Sequence, residues 1–139
     1  DMEAAANRIA DAIMARENVA VFGDYDVDGA TSTALLMRYF RALGQHLRIY
    51  IPDRLKEGYG PNATALQKLR SEGASLLLTV DCGVTAFDAL DAGVKAGLDI
   101  VVLDHHRAEP QLPAVTAVVN PNRLDDTSGL QNLAAVGVV

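Results

Sequence analysis

Three short polar stretches hold the residues of this sequence that could do chemistry: Asp24-Tyr25-Asp26-Val27-Asp28, Asp81, and Asp104-His105-His106. Each follows a compact apolar run. Five carboxylates and two imidazoles brought to one place would repel one another strongly enough to retain protons unless a cation neutralised them. Residues two apart in an extended segment project to the same side, so the alternation at 24, 26 and 28 can aim two or three oxygens at one point, with Gly23 and Gly29 allowing sharp entry and exit. Oxygen-rich coordination with one or two imidazoles suits Mn²⁺ or Mg²⁺, and no thiolate cluster of the zinc or copper kind is present. An EF-hand is the rival for alternating Asp, but the loop follows a strand and has no Glu at its twelfth position. Any one of these aspartates is equally well explained as a turn or cap residue; the whole set is not.

The elements that must position these groups are read from hydrophobic periodicity. Residues 3–17 form an opening helix with Ile9 and Ile13 on one face. Strands are expected at 19–22, 47–51, 76–80, 100–103 and 117–119, alternating with helical segments. Thr31 and Ser32 are the expected caps of the second helix, which ends at Gly44. Residues 52–60 read as a charged loop, Asn62 caps a helix running to about Glu72, and Thr85 with Asp88 has the spacing of a capping box opening the next. A last helix starts near Leu133. The pattern predicts an α/β fold, a doubly wound, mainly parallel five-stranded sheet flanked by helices. In such a sheet the loops after the carboxyl ends of the strands share one edge, where ligands bind, and all three polar stretches belong to that class of loop.

Composition narrows the function. Among 139 residues, 50% are hydrophobic and 22% charged, enough for one sizeable core; 12 Lys+Arg against 18 Asp+Glu give a formal charge of −6. That balance argues against holding nucleic acid by bulk positive charge. The single Cys excludes an internal disulfide framework, and no apolar run is long enough to span a bilayer, so a soluble cytoplasmic protein is expected. There is no P-loop. Gly58-Tyr59-Gly60-Pro61-Asn62-Ala63 has the letters of a dinucleotide fingerprint, but a charged loop separates it from the preceding strand. Arg54 and Lys56 in that loop are candidate phosphate contacts. Cys82 is read as a packing residue and His46 as an exposed one.

Gly23-Asp24-Tyr25-Asp26-Val27-Asp28-Gly29-Ala30-Thr31-Ser32, Val80-Asp81-Cys82-Gly83 and Asp104-His105-His106 resemble the first three motifs of the DHH phosphoesterase superfamily. The wording is nearest to its bacterial single-strand-specific 5′→3′ exonucleases. Arg54-x-x-Glu57-Gly-Tyr-Gly, Asn120-Pro121-Asn122 and the Leu133-Ala-Ala-Val-Gly ending add to the likeness, which spans nearly the whole chain from Val19. The resemblance implies a phosphodiesterase with two divalent cations, Mn²⁺ preferred and Mg²⁺ the alternative, that removes mononucleotides from the 5′ end of single-stranded DNA in repair and recombination. It also implies single-strand-binding protein and a helicase as partners.

Carried onto this sequence, the resemblance makes Asp26 and Asp28 metal ligands, Asp81 the bridge between two metals, and His105 the completion of a metal shell. His106 would contact the scissile phosphate, Asp104 would orient the histidines, and Asn120 would join the substrate-binding set. Some members carry a His four residues before the position of Asp26; here Phe22 stands there, so Asp24 or water takes the role. The family's fourth-motif Asp has no counterpart, since Asp125 and Asp126 lie too close to the triplet. Residues 1–139 are therefore expected to be a single domain truncated at its C-terminus, without the fourth motif or second domain, and impaired or inactive alone. Two alternatives remain at this point. One keeps the metal site but takes short oligonucleotides, cyclic dinucleotides or pyrophosphate. The other is a non-catalytic DHH-like or receiver-like module, against which stand the paired histidines and the lack of any Lys after Lys95.

Overall fold

A computed structural model describes residues 1–139. Helix α1 (Met2–Met14) leads into β1 (Val19–Phe22), followed by α2 (Val27–Ala42), β2 (Leu47–Tyr50), the one-turn α3 (Arg54–Glu57), α4 (Ala63–Ser71) and β3 (Leu76–Val80). Then come α5 (Phe87–Lys95), β4 (Asp99–Leu103), β5 (Ala117–Val119) and α6 (Ala135–Val138). The five strands make one sheet in the order β2-β1-β3-β4-β5, and every pairing is parallel. The expected doubly wound sheet is present. No helix is long and apolar enough to cross a membrane.

Strand periodicity divides the interior into two layers. Leu76, Leu78 and Val80 of β3 face one side with Val19, Val21, Val101 and Leu103, where Ala5 and Ala12 of α1, Leu36 and Phe40 of α2 and Val138 of α6 pack on them. Leu77 faces the other side with Ala20, Phe22, Ile100 and Val102, covered by Leu66 and Leu69 of α4 and Leu90 of α5. Covering both faces explains why the strands read as continuous apolar runs.

Local structure departs from the sequence reading in three places. Helix α2 begins at Val27, not after Thr31 or Ser32, because the Asp26 side chain accepts from the N–H groups of Asp28 and Gly29 and so caps it. Thr31 and Ser32 instead turn their hydroxyls back to helix carbonyls, Ser32 to Asp28 at 2.7 Å. Helix α5 begins at Phe87 after Ala86 with no side-chain cap, so the Thr85/Asp88 box does not form. The 52–60 loop carries α3, capped by Asp53 on the Leu55 N–H.

The chain moves outward from β1 to β2 and returns across β1 to β3, so the winding reverses between β1 and β3. That reversal opens a crevice at the carboxyl ends of the two strands. The loops bearing Asp24 to Asp28 and Asp81 flank it.

Candidate metal centre

Asp81 is the residue around which the others gather. It follows β3, the middle strand, and takes a left-handed backbone conformation (φ 60°) that aspartate tolerates better than most residues. Tyr59 stabilises that turn by donating its hydroxyl to the Asp81 carbonyl at 3.0 Å. The Asp81 side chain is buried, yet neither carboxylate oxygen has a hydrogen-bond donor. Burial first, and then the neighbouring Asp26 carboxylate, push its pKa upward.

Two groups of ligand-type atoms share this residue. In one, Asp24, Asp26 and Asp81 each offer an oxygen, all within 4.8 Å of one another; in the other, an Asp81 oxygen and one ring nitrogen each from His105 and His106 lie within the same distance. Asp24 is buried and fixed by the Tyr25 N–H at 2.8 Å, and burial raises its pKa. Asp26 is held low, chiefly by the Gly29 N–H, so its anion is stabilised by the start of α2. The alternation at 24, 26 and 28 works differently from the extended segment expected: Asp26 is a cap and Asp28 lies in the first helical turn. Asp28 stands at the margin, its Oδ2 3.8 Å from His105 Nε2 and outside both groups.

His105 points one nitrogen inward by main-chain control. Its Nδ1 lies 3.1 Å from the Leu133 carbonyl, an acceptor only, so Nδ1 carries the proton and donates. In the neutral ring Nε2 then has a lone pair, and it faces Asp81 Oδ1 at 3.1 Å without hydrogen-bond alignment. Two acceptors so close repel each other unless a proton or a cation lies between them. Unpartnered, buried oxygens beside an inward imidazole lone pair form a donor set that fits a divalent cation.

Asp104 serves differently. It is wholly buried, and its Oδ1 accepts from the N–H groups of His105 (2.7 Å) and His106 (3.1 Å) and from His106 Nδ1 (2.7 Å), while Oδ2 accepts from the Val84 N–H at 3.0 Å. These bonds tie it to the main chain of both histidines and to the ring of His106. His106 is about half exposed. Burial lowers its pKa, but the Asp104 hydrogen bond and the charges of Asp104, Asp81 and Asp24 outweigh that and leave it raised.

The remaining expected residues separate. Arg54 reaches the edge of the centre, its guanidinium stacked 5.0 Å from the Tyr25 ring. Lys56 is exposed and pairs with Asp53 at 3.3 Å. Asn120 is buried and its amide is committed inside the fold: Nδ2 donates to the His106 carbonyl at 2.8 Å and Oδ1 accepts from the Asn122 N–H at 2.7 Å. Asn122 likewise donates to the His105 carbonyl. Asn120-Pro121-Asn122 is thus a clamp on the backbone of the two histidines. Tyr59, Asn122 and Leu133 lie in stretches that carry the family likeness, but the main-chain contacts they make, like that of the Val84 N–H, had no signature of type and spacing. A cleft of about 580 Å³ lies apart from Asp24, Asp81 and His105, between Asp1, Val118, Arg123, Leu130 and Val138, and its one guanidinium is taken by Asp1 and Asp125.

The parallel sheet carries at its carboxyl edge the three stretches on which the DHH resemblance rests, Asp24 to Asp28, Asp81 and Asp104-His105-His106. Residues 18–139 match the family described as DHH family, N-terminal domain, and the chain belongs to that family. It is 42% identical over 137 residues to the single-stranded-DNA-specific exonuclease RecJ of Bacillus subtilis (strain 168), covering 99% of this chain and 17% of that protein. A crystal structure of exonuclease RecJ bound to manganese superposes with a TM-score of 0.84 at 37% identity, covering 98% of this chain and 34% of the other. The structure of RecJ from Thermus thermophilus in complex with Mn²⁺ gives a TM-score of 0.74 at 31% identity, covering 98% of this chain and 19% of the other. The chain therefore spans about a sixth of the Bacillus relative.

Proposed function

We propose that this chain is the metal-binding part of a phosphodiesterase that removes mononucleotides from the 5′ end of single-stranded DNA, acting in the cytoplasm in repair and recombination. The observation that carries the reading is the Asp81 carboxylate, buried without a donor on either oxygen and common to both ligand groups. Asp24 and Asp26 on one side and His105 on the other are the partners proposed for it in holding two cations, Mn²⁺ in preference to Mg²⁺, with Asp28 in reach of His105. Bound there, divalent cations supply charge neutralisation at the phosphoryl group and lower the pKa of water. The relatives matched are single-strand-specific exonucleases, and two solved ones hold manganese.

The chain's own groups have distinct duties in this reading. Asp104 fixes His106 through Nδ1 and leaves its other ring nitrogen without a protein partner, and a raised pKa suits the ring to donate a proton or hydrogen bond to a phosphate oxygen. Arg54, already stacked at the rim, supplies a positive charge for phosphate, and Lys56 a more distant one. Asn120 acts on substrate through the His106 carbonyl it holds. Single-strand-binding protein and a helicase are the proposed partners, and residues 1–139 are one domain that needs further sequence for full activity.

The test is direct. Titration calorimetry with Mn²⁺ should show binding to the wild-type chain and none to Asp81→Ala. The full-length protein should release mononucleotides from a single-stranded oligonucleotide with Mn²⁺ and stop on chelation. Equal Mn²⁺ affinity in the two proteins would overturn the assignment.

A further inference from the structure

We propose that Glu57 is a positioning residue for substrate: its carboxylate fastens the segment between β2 and α4, so that Arg54 and Tyr59 reach the metal centre together. The inference rests on the phosphodiesterase reading and adds a residue to it.

Three donors converge on that carboxylate. The Tyr50 hydroxyl donates to Oε2 at 2.6 Å, the Asn62 side-chain amide to Oε2 at 3.2 Å, and the Asp53 N–H to Oε1 at 2.8 Å. The Asn62 oxygen caps α4 through the Ala65 N–H, which leaves its nitrogen turned toward Glu57. Tyr50 in turn stacks on Phe22, fully buried at the end of β1, with ring centroids 5.4 Å apart. Glu57 thus connects the interior, through Tyr50, to both ends of the segment.

Little else secures it. Helix α3 buries no residue, Leu55 is 96% exposed, and a Cβ placed on Gly58 or Gly60 would meet nothing within 4 Å. With burial confined to Pro52 near its start and to Gly60 and Pro61 near its end, the hydrogen bonds to Glu57 are what hold the middle of the segment in one conformation. Its two ends do touch the centre: Arg54 lies over Tyr25 beside the first motif, and Tyr59 bonds the Asp81 carbonyl and packs edge-on to His106 with centroids 5.8 Å apart. The metal-type ligands have further supports: Asp26 in the start of α2, the histidines in Asp104 and the Leu133 carbonyl, and Asp81, beyond the Tyr59 bond, in its own N–H donated to the Leu103 carbonyl at 3.0 Å. Loosening the segment therefore weakens the grip on a DNA end without dismantling the ligand set, because the binding-competent conformer becomes a smaller fraction.

The experiment uses full-length protein, Mn²⁺ and a 5′-phosphorylated single-stranded oligonucleotide. Glu57→Ala should raise KM about tenfold with a smaller change in kcat, and leave the Mn²⁺ Kd within about twofold. Tyr50→Phe should move KM the same way by less. Combining Glu57→Ala with Arg54→Ala should cost less than the product of the single effects, because Glu57 acts through Arg54. Trypsin reads the fastening without activity: cleavage after Arg54, whose following residue Leu55 is unchanged, should speed up about tenfold in Glu57→Ala. If Glu57→Ala fails to fold, Glu57→Gln and Tyr50→Phe carry the same measurements. Folded variants with unchanged KM and unchanged tryptic cleavage, or a loss of Mn²⁺ affinity parallel to that of Asp81→Ala, would overturn the proposal. A wild-type protein inactive on single-stranded DNA, with cleavage still accelerated in the variant, would overturn the substrate reading and leave the fastening demonstrated.

Discussion

Asp81 shows how a residue can be placed against its own electrostatic interest. Its carboxylate is buried beside Asp26 and Asp24 with no donor, so the metal-free fold bears a cost that a cation relieves. Asp81→Asn keeps the shape, tolerates the left-handed backbone and removes the charge. The metal-free variant should therefore unfold at higher urea than the metal-free wild type, by about 1–2 kcal/mol, while losing Mn²⁺ binding. Denaturation in the presence of chelator and calorimetry measure the two halves. A variant less stable than wild type without metal would contradict the repulsion argument. His105 makes the complementary point, since a carbonyl from the segment before α6 selects its tautomer across 28 positions of sequence.

At the scale of elements, the first turn of α2 does two jobs, capping by Asp26 and close packing of Gly29 against the Asp24 backbone. A Cβ at Gly29 would lie 2.5 Å from the Asp24 carbonyl oxygen. Gly29→Ala should thus destabilise by about 1–3 kcal/mol despite the better helix propensity of alanine, and lower Mn²⁺ affinity by shifting Asp24. Thermal melts with and without Mn²⁺ would show both. At the opposite edge, Arg8 of α1 grips Glu17 through both terminal nitrogens and Asp99 of β4 through Nε. Arg8, then the Ser75 hydroxyl, holds the Glu17 pKa below its ordinary 4.5. Glu17 binds fewer protons folded than unfolded, so its contribution is present above pH 4.5 and disappears as pH falls through the depressed value. Glu17→Gln should cost about 1 kcal/mol at neutral pH and nothing once both states are protonated, as acid titration of unfolding would reveal.

Legibility at this scale follows contact range. The strands are legible because apolar runs bounded by turn residues express burial directly, and the loops that follow them put Asp24, Asp26, Asp81 and His105 on one edge. The start of α2 was misread because alternating aspartates fit an extended loop as well as they fit a cap, and only the capture of two N–H groups by Asp26 distinguishes the two. Thr85 failed for the converse reason, a pattern without its hydrogen bonds. Asn122, Tyr59 and Leu133 act on or through main-chain atoms far away in sequence, and such contacts leave no spacing to read.

Across the whole molecule, stability and site meet in the central strand. Leu77 and Leu78 are fully buried on opposite faces of β3, one in each layer. Leu77→Ala and Leu78→Ala should each cost about 2–5 kcal/mol in urea unfolding, depending on how far each layer collapses. β3 pairs in register with β1 and β4, Phe22 opposite Thr79 and Thr79 opposite Val102, and the three strand ends carry the three polar stretches. The separation of those stretches is set by a ladder of peptide groups, which every residue type possesses alike. Which hydrocarbon fills either layer is therefore free to drift over generations, provided the volume suits, while the reacting rim keeps its dimensions.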